Sequence, residues 1–152
     1  MPDTTNINNL KSVIMNRISS EVDTVQDVSP YEKTNFKGFP AVTVACSGNE
    51  NDYYSVSHNQ RVFTFIIRIF VQIEKKPALD ILSDNAKERA EQIMGRVISD
   101  IIDAFDTFYE FGDAADFLRA IPSAWGYAKI GEGWTRTAEI KLEVVKSYNV
   151  YS

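Results

Sequence analysis

The 152-residue chain has one cysteine, one histidine, five prolines and seven glycines, and each shortage excludes something. With Cys46 alone, no disulfide can close within the chain and no cysteine-based zinc site can form, so a reducing compartment fits. With His58 alone, any Ser-His or Cys-His pair would have to use it, with Cys46, Ser55 or Ser57 as nucleophile. His58 lies beside a polar hairpin arm, where a solvent-facing or partner-facing histidine is the simpler reading. Gly126, Gly131 and Gly133, in WGYAKIGEGW, match neither a dinucleotide fingerprint nor a phosphate loop, because no strand–loop–helix order surrounds them. They read as a turn between strands. Lysine and arginine are scattered singly apart from Lys75-Lys76, and the net charge is −5, so no electrostatic footprint for gripping phosphates is present. The longest apolar run is interrupted by Arg68 and Gln72, well short of the ~20 residues of a membrane helix. The first residues, MPDTTNINN, hold no apolar segment of signal-peptide length, and the chain reads as soluble and intracellular.

What is abundant is β-forming apolar sequence. From Gln60 to Glu74 (QRVFTFIIRIFVQIE) the odd positions Phe63, Phe65, Ile67, Ile69, Val71 and Ile73 make one unbroken apolar face at period two. The even positions mix Val62, Ile66 and Phe70 with Thr64, Arg68 and Gln72. One face is made for a core, and the other is half-prepared to meet something else. The aromatic share of 12% is mostly core material, but tyrosine and tryptophan also suit contacts in which one end of a ring stays wet.

Around this strand the periodicity alternates between helix and sheet. Thr5–Glu21 reads as an amphipathic helix with a stripe of Ile7, Leu10, Ile14, Ile18 and Val22, capped by Thr4, Thr5 or Asn6. A short strand over Thr24–Val28 follows, then a loop over Tyr31–Lys37, then Gly38-Phe39-Pro40 opening a strand Ala41–Cys46. Pro40 lacks a backbone donor and belongs at that strand's start. Ser47–Asp52 (SGNEND) is dense in turn formers and marks a hairpin or a longer loop, with Tyr53–Ser57 extending the arm that leads into the long strand. A long helix covers Asp84–Phe105 with Ser83 as its cap, or starts as early as Pro77, with a stripe of Ala86, Ala90, Ile93, Met94, Val97, Ile101 and Phe105 over about five turns. Phe117–Ile130 reads as a strand interrupted at Pro122, and Gly131-Glu132-Gly133 turns the chain. Thr135–Tyr148 closes it, with Ala138, Ile140, Leu142 and Val144 inward and Thr137, Glu139, Lys141 and Glu143 outward.

The order predicts a single α+β domain over residues 1–152: a mostly antiparallel sheet with a long hairpin, packed against an N-terminal helix and one long central helix. Short flexible ends are expected at 1–4 and 149–152. Asp100, Asp103, Asp106 and Glu110 recur at three- or four-residue spacing and could hold a divalent cation through oxygen ligands. A solvated helix end is the plainer account. Carboxylates at a helix C-terminus oppose its dipole, which would suit a basic partner surface. Trp125 and Trp134 flank the Gly131–Gly133 turn, where they could pack on each other or anchor a subunit contact. No catalytic, metal-binding or cofactor-binding constellation emerges.

The order of pieces resembles the tail terminator (tail completion) proteins of long-tailed bacteriophages. The resemblance runs from Phe36 to Lys146. It rests on Gly38-Phe39-Pro40-Ala41-Val42-Thr43-Val44, on Asn59-Gln60-Arg61 opening the Val62–Glu74 strand, on the long helix, on Ala120-Ile121-Pro122 with Trp125-Gly126-Tyr127, and on the closing strand Arg136–Val145. It implies a non-enzymatic virion protein at the head-proximal end of the tail. Such a subunit forms a homohexameric ring, stops tube polymerisation, and touches the tail tube protein on one side and a head-completion protein on the other. DNA would pass through the lumen without specific binding, and neither cofactor nor membrane is involved. Expected contact residues are Phe36, Phe39, Tyr53, Tyr54, His58, Arg61, Arg68 and Trp134. Another neck or connector subunit is the alternative in the same class. The rival from a different class is a small α+β enzyme or ligand-binding domain using His58 and the acidic helix end.

Overall fold

A computed structural model describes residues 7–33, 35–53, 58–74, 84–107, 117–130 and 133–149. The elements run α1 (Ile7–Glu21), β1 (Asp27–Ser29), β2 (Ala41–Tyr53), β3 (His58–Glu74), α2 (Asp84–Asp106), β4 (Phe117–Ile130) and β5 (Gly133–Asn149). The strands form one mixed sheet in the spatial order β1-β2-β3-β5-β4, parallel only where β1 meets β2. The architecture is α+β, with the N-terminal helix and the long central helix that the periodicities predict.

β3 organises the sheet because it is paired on both sides along most of its length. Its odd residues Phe63, Phe65, Ile67 and Ile69 stand opposite Val144, Leu142, Ile140 and Ala138 of β5, and all eight are buried. Fully burying one such larger side chain stabilises by roughly 1.5–3 kcal/mol before ordering costs are subtracted. Both helices close over this face. Leu10, Ile14 and Ile18 of α1, with Val22 just beyond its end, join Ala90, Met94, Val97, Ile101 and Phe105 of α2 and the sheet in one core cluster. Ile7, the first helical residue, remains exposed although it sits on the α1 stripe. The buried face of α2 is wider than a single stripe, since Ile98 and Ala104 are buried too. That width serves contacts with α1 on one side and with the sheet on the other.

The hairpin is where local signals mislead. Ser47–Asp52 does not form its loop: β2 continues to Tyr53, pairing Gly48 with Thr64 and Tyr53 with Asn59. The turn-rich composition leaves only a register shift between Cys46 and Gly48, a bulge with Ser47 as the extra residue. Its hydroxyl bonds the Thr64 carbonyl at 3.3 Å. Pairing with the long apolar β3 outweighs the turn propensity of six short residues. The same tertiary override carries β4 past Pro122 with a shift between Pro122 and Trp125. Among the described residues β4 is an edge strand, a position at which sheets tolerate proline.

The proposed caps at Thr4, Thr5, Asn6 and Ser83, the Gly131-Glu132 turn and the end at 1–4 lie outside the described residues. So does the tail at 149–152, except for Asn149, which closes β5.

Candidate functional site

Helices cover one face of the sheet, and the second face is divided. Near the β1 end, the segment between β1 and β2 folds back over it. Gln26 N–H donates to the Pro40 carbonyl at 2.8 Å, the Phe39–Pro40 peptide is cis, and Gly38 comes so near that an added Cβ would lie 3.0 Å from the Gln26 Cβ. Only glycine allows that approach without a shift of the chain. Phe36 lies on Phe70, with ring centroids 4.9 Å apart, and meets Phe39 edge-on at 5.7 Å. Beneath this segment Ala41, Thr43 and Phe70 are buried.

Asp27 fastens the segment. Its carboxylate accepts from the Lys37 backbone N–H at 3.0 Å and the Ser29 hydroxyl at 3.3 Å, and pairs with the Lys33 ammonium at 3.2 Å. Burial pushes its pKa up, but the Lys37 N–H, the Lys33 ammonium and the Ser29 hydroxyl together outweigh that and hold it below the ordinary carboxylate value. Arg68 adds a second fastening. It donates to Glu139 of the neighbouring strand at 2.7 and 3.1 Å and reaches Glu32 of the folded-back segment at 2.6 Å. A residue read as a partner contact is thus engaged within its own chain, with a third of its side chain still exposed.

Toward the hairpin end the second face has no cover among the described residues. Ala45, Val62, Thr64, Ile66, Ile121 and Glu143 are half-buried there, with Arg119 and Lys141 exposed. They fall in matched rows across four strands, such as Ala45–Ile66–Lys141–Ile121 and Gly48–Thr64–Glu143–Arg119. This is an apolar centre framed by charges of both signs.

A second feature went unread in the sequence. On the helix-covered face, Arg136 stands opposite Val71, where the apolar row ends. Its guanidinium lies 4.8 Å from the Trp125 ring and 4.5 Å from the Tyr127 ring, donates to the Gly126 carbonyl at 2.8 Å, and bonds Glu91 of α2. Trp125 and Tyr127 remain 41% and 51% exposed on the edge strand. Gly126, between them, is closely packed: a Cβ there would lie 3.2 Å from the Thr137 hydroxyl, which would have to give by a few tenths of an ångström. The only available signal was the Trp-x-Tyr alternation, which puts two rings on one side of a strand. Trp125 therefore meets Arg136.

The remaining expected contacts fall in different places. Phe36 and Phe39 are half-buried in the folded-back segment. Trp134 is half-buried near the start of β5, and its indole N–H is enclosed with no acceptor among the described residues. Tyr53, His58 and Arg61 lie in the hairpin arms, with their side chains outside the described residues, as is all of Tyr54.

The acidic helix end is partly answered from within the chain. Arg17 of α1 donates to the Ala104 carbonyl at 2.9 Å and to the Thr107 hydroxyl at 3.2 Å, placing a cation where the α2 dipole favours one. Beside it, Asp100 and Asp103 share an open cleft of about 390 Å³ with Glu21 and Asp23. Among the described residues no group of three or more such side chains is arranged to hold a metal ion, and no helix is long and apolar enough to cross a membrane. Asp106 is exposed beyond that cleft, and Glu110 lies outside the described residues. Comparison with protein-family models finds no match, and neither does comparison with curated proteins.

Proposed function

We propose that the chain is the subunit of a ring that caps the tail tube of a long-tailed bacteriophage, ends tube polymerisation and joins the tail to head-completion proteins. The observation that carries this reading is the division of the sheet: the helices seal one face, while among the described residues the other is left toward the hairpin as a mixed apolar and charged surface. A 17-residue central strand paired to a 13-residue neighbour makes a long sheet, and edges of such sheets invite pairing with other chains. A closed ring of identical subunits covers such surfaces repeatedly and without open ends. The net charge of −5 suits a lumen through which DNA slides without ion-pair adhesion. The resemblance over residues 36–146 supplies the tail assignment, and the α+β architecture agrees with it.

Light scattering and negative-stain imaging of the purified protein test this directly. A hexamer-sized ring, and tail tubes of uniform length when the protein is added to polymerising tube subunits, are the expected results. A protein that stays monomeric and leaves tube growth unchanged is not a terminator. A ring that forms but never caps tubes would move the assignment to another neck component.

A further inference from the structure

Of the four large hydrophobic side chains left exposed among the described residues, two stand on β4 with only Gly126 between them: Trp125 and Tyr127. β4 bounds the sheet, with no strand beyond it among the described residues. The stretch Ala124-Trp125-Gly126-Tyr127-Ala128 reads small, aromatic, glycine, aromatic, small in either direction. A stretch with that symmetry is complementary to itself when two strands run antiparallel. We infer that β4 of one copy pairs with β4 of a second about a two-fold axis at Gly126, so that Trp125 of each stands opposite Tyr127 of the other. This contact goes beyond the ring reading and does not rest on it.

Backbone polarity fits the same register. The Gly126 carbonyl accepts from Arg136 and the Ala128 carbonyl from the Thr135 hydroxyl, and both donors belong to β5. Those carbonyls are therefore turned toward β5. Hydrogen-bonding groups alternate between the two sides of a strand, so Trp125 and Tyr127 present theirs to the outer edge. A second copy that sets Trp125 against Tyr127 exchanges both N–H···O bonds at each of those pairs. The side chains agree. Residues directly opposite on antiparallel strands share a face, so each indole meets a phenol ring, an arrangement that stabilises beyond the area it buries. The Arg136 guanidinium already lies 4.8 and 4.5 Å from the two rings, so they are ordered before a partner arrives and lose little freedom on pairing.

Charge does not oppose the contact. Lys129 falls opposite Ser123 of the second copy, and Arg119 lies past the end of the other β4 at Ile130. The register shift between Pro122 and Trp125 interrupts the regular edge there, which keeps the contact short. Residues 124–128 of each copy compare with the ~20–30 residues a side of a standard interface, so the pair is weak and forms at high concentration. A two-fold contact ends at two copies. In a chain that also forms rings it couples two rings, and it covers an edge that otherwise invites foreign strands.

Cysteine trapping in the full-length protein tests the register. In a Cys46→Ala background, Ala124→Cys combined with Ala128→Cys should oxidise to a covalent dimer and nothing larger on a denaturing gel, because the two positions meet reciprocally across the axis. Either cysteine alone should stay monomeric, since like positions lie roughly 13 Å apart along the paired strands, beyond the ~7 Å Cα separation a disulfide spans. Sedimentation velocity supplies a second measurement: Trp125→Ala and Tyr127→Ala should each raise the midpoint of pairing at least about fivefold, because each removes both symmetric ring pairs. A covalent ladder from the paired cysteines, or dimers from either cysteine alone, overturns the two-fold register. A midpoint unmoved by both aromatic variants, or a wild-type chain with no pairing and no covalent dimer from the paired cysteines, overturns the contact itself. Rings imaged alongside any of these results leave the ring reading standing. Covalent dimers from a protein that never forms rings support the pair and remove the ring reading.

Discussion

Arg136→Ala removes a side chain that holds the exposed edge of the sheet to the long helix. Only 13% of that side chain is exposed, and it engages Glu91, the Gly126 carbonyl and two aromatic rings. A hydrogen bond from a charged donor contributes about 1.5–3 kcal/mol, and each cation–π contact about 0.5–1 kcal/mol. The Glu91 carboxylate is 42% exposed, so its ion pair adds only about 0.2–1 kcal/mol. These contributions share one guanidinium and do not add fully, which points to a net loss of about 3 kcal/mol. For a domain of this size that corresponds to a melting temperature lower by roughly 6–12 °C. Arg136→Lys keeps the charge but not the planar fork or the ring stacking, so it should recover less than half of the loss. Added salt should change the Arg136→Ala difference little, because the screened ion pair is its smallest part. Thermal and urea denaturation of the three proteins measure all of this. A loss below about 1 kcal/mol, or full rescue by lysine, would refute the assignment of Arg136 as the link between edge strand and helix.

Phe65→Ala, at the fully buried centre of β3, should cost about 3–5 kcal/mol in urea unfolding; a cost under 1 kcal/mol would mean that the helix-covered face is not the core. Asp27→Asn should cost about 1–2 kcal/mol at neutral pH by weakening the fastening of the segment over Phe70. Because the folded-state pKa of Asp27 is depressed, its contribution is complete above the ordinary carboxylate value and is lost as pH falls through the lower folded value. Wild type and Asp27→Asn should therefore converge in stability only in that acid range; a gap that persisted below it would rule out the carboxylate as its source.

Period-two and period-3.6 patterns alone determine much of this protein. The odd face of 63–71, the Leu10–Ile14–Ile18 stripe, the stripe of α2 and the inward set Ala138, Ile140, Leu142 and Val144 are all legible locally, because each repeats the geometry of its own element and is buried by it. What depends on distant partners was hidden. Ser47–Asp52 becomes strand only because β3 is there to pair with it, and Arg68 is occupied at home only because Glu32 and Glu139 converge on it from residues far along the chain. The same holds for Arg136, whose partners come from α2 and β4, and for Arg17, whose carbonyl partner is 87 residues away. Periodicity records which side of an element is buried. Which charged side chain is satisfied, and which strands lie at the sheet's edges, follow from strand order and register, and those exist only once the chain has folded.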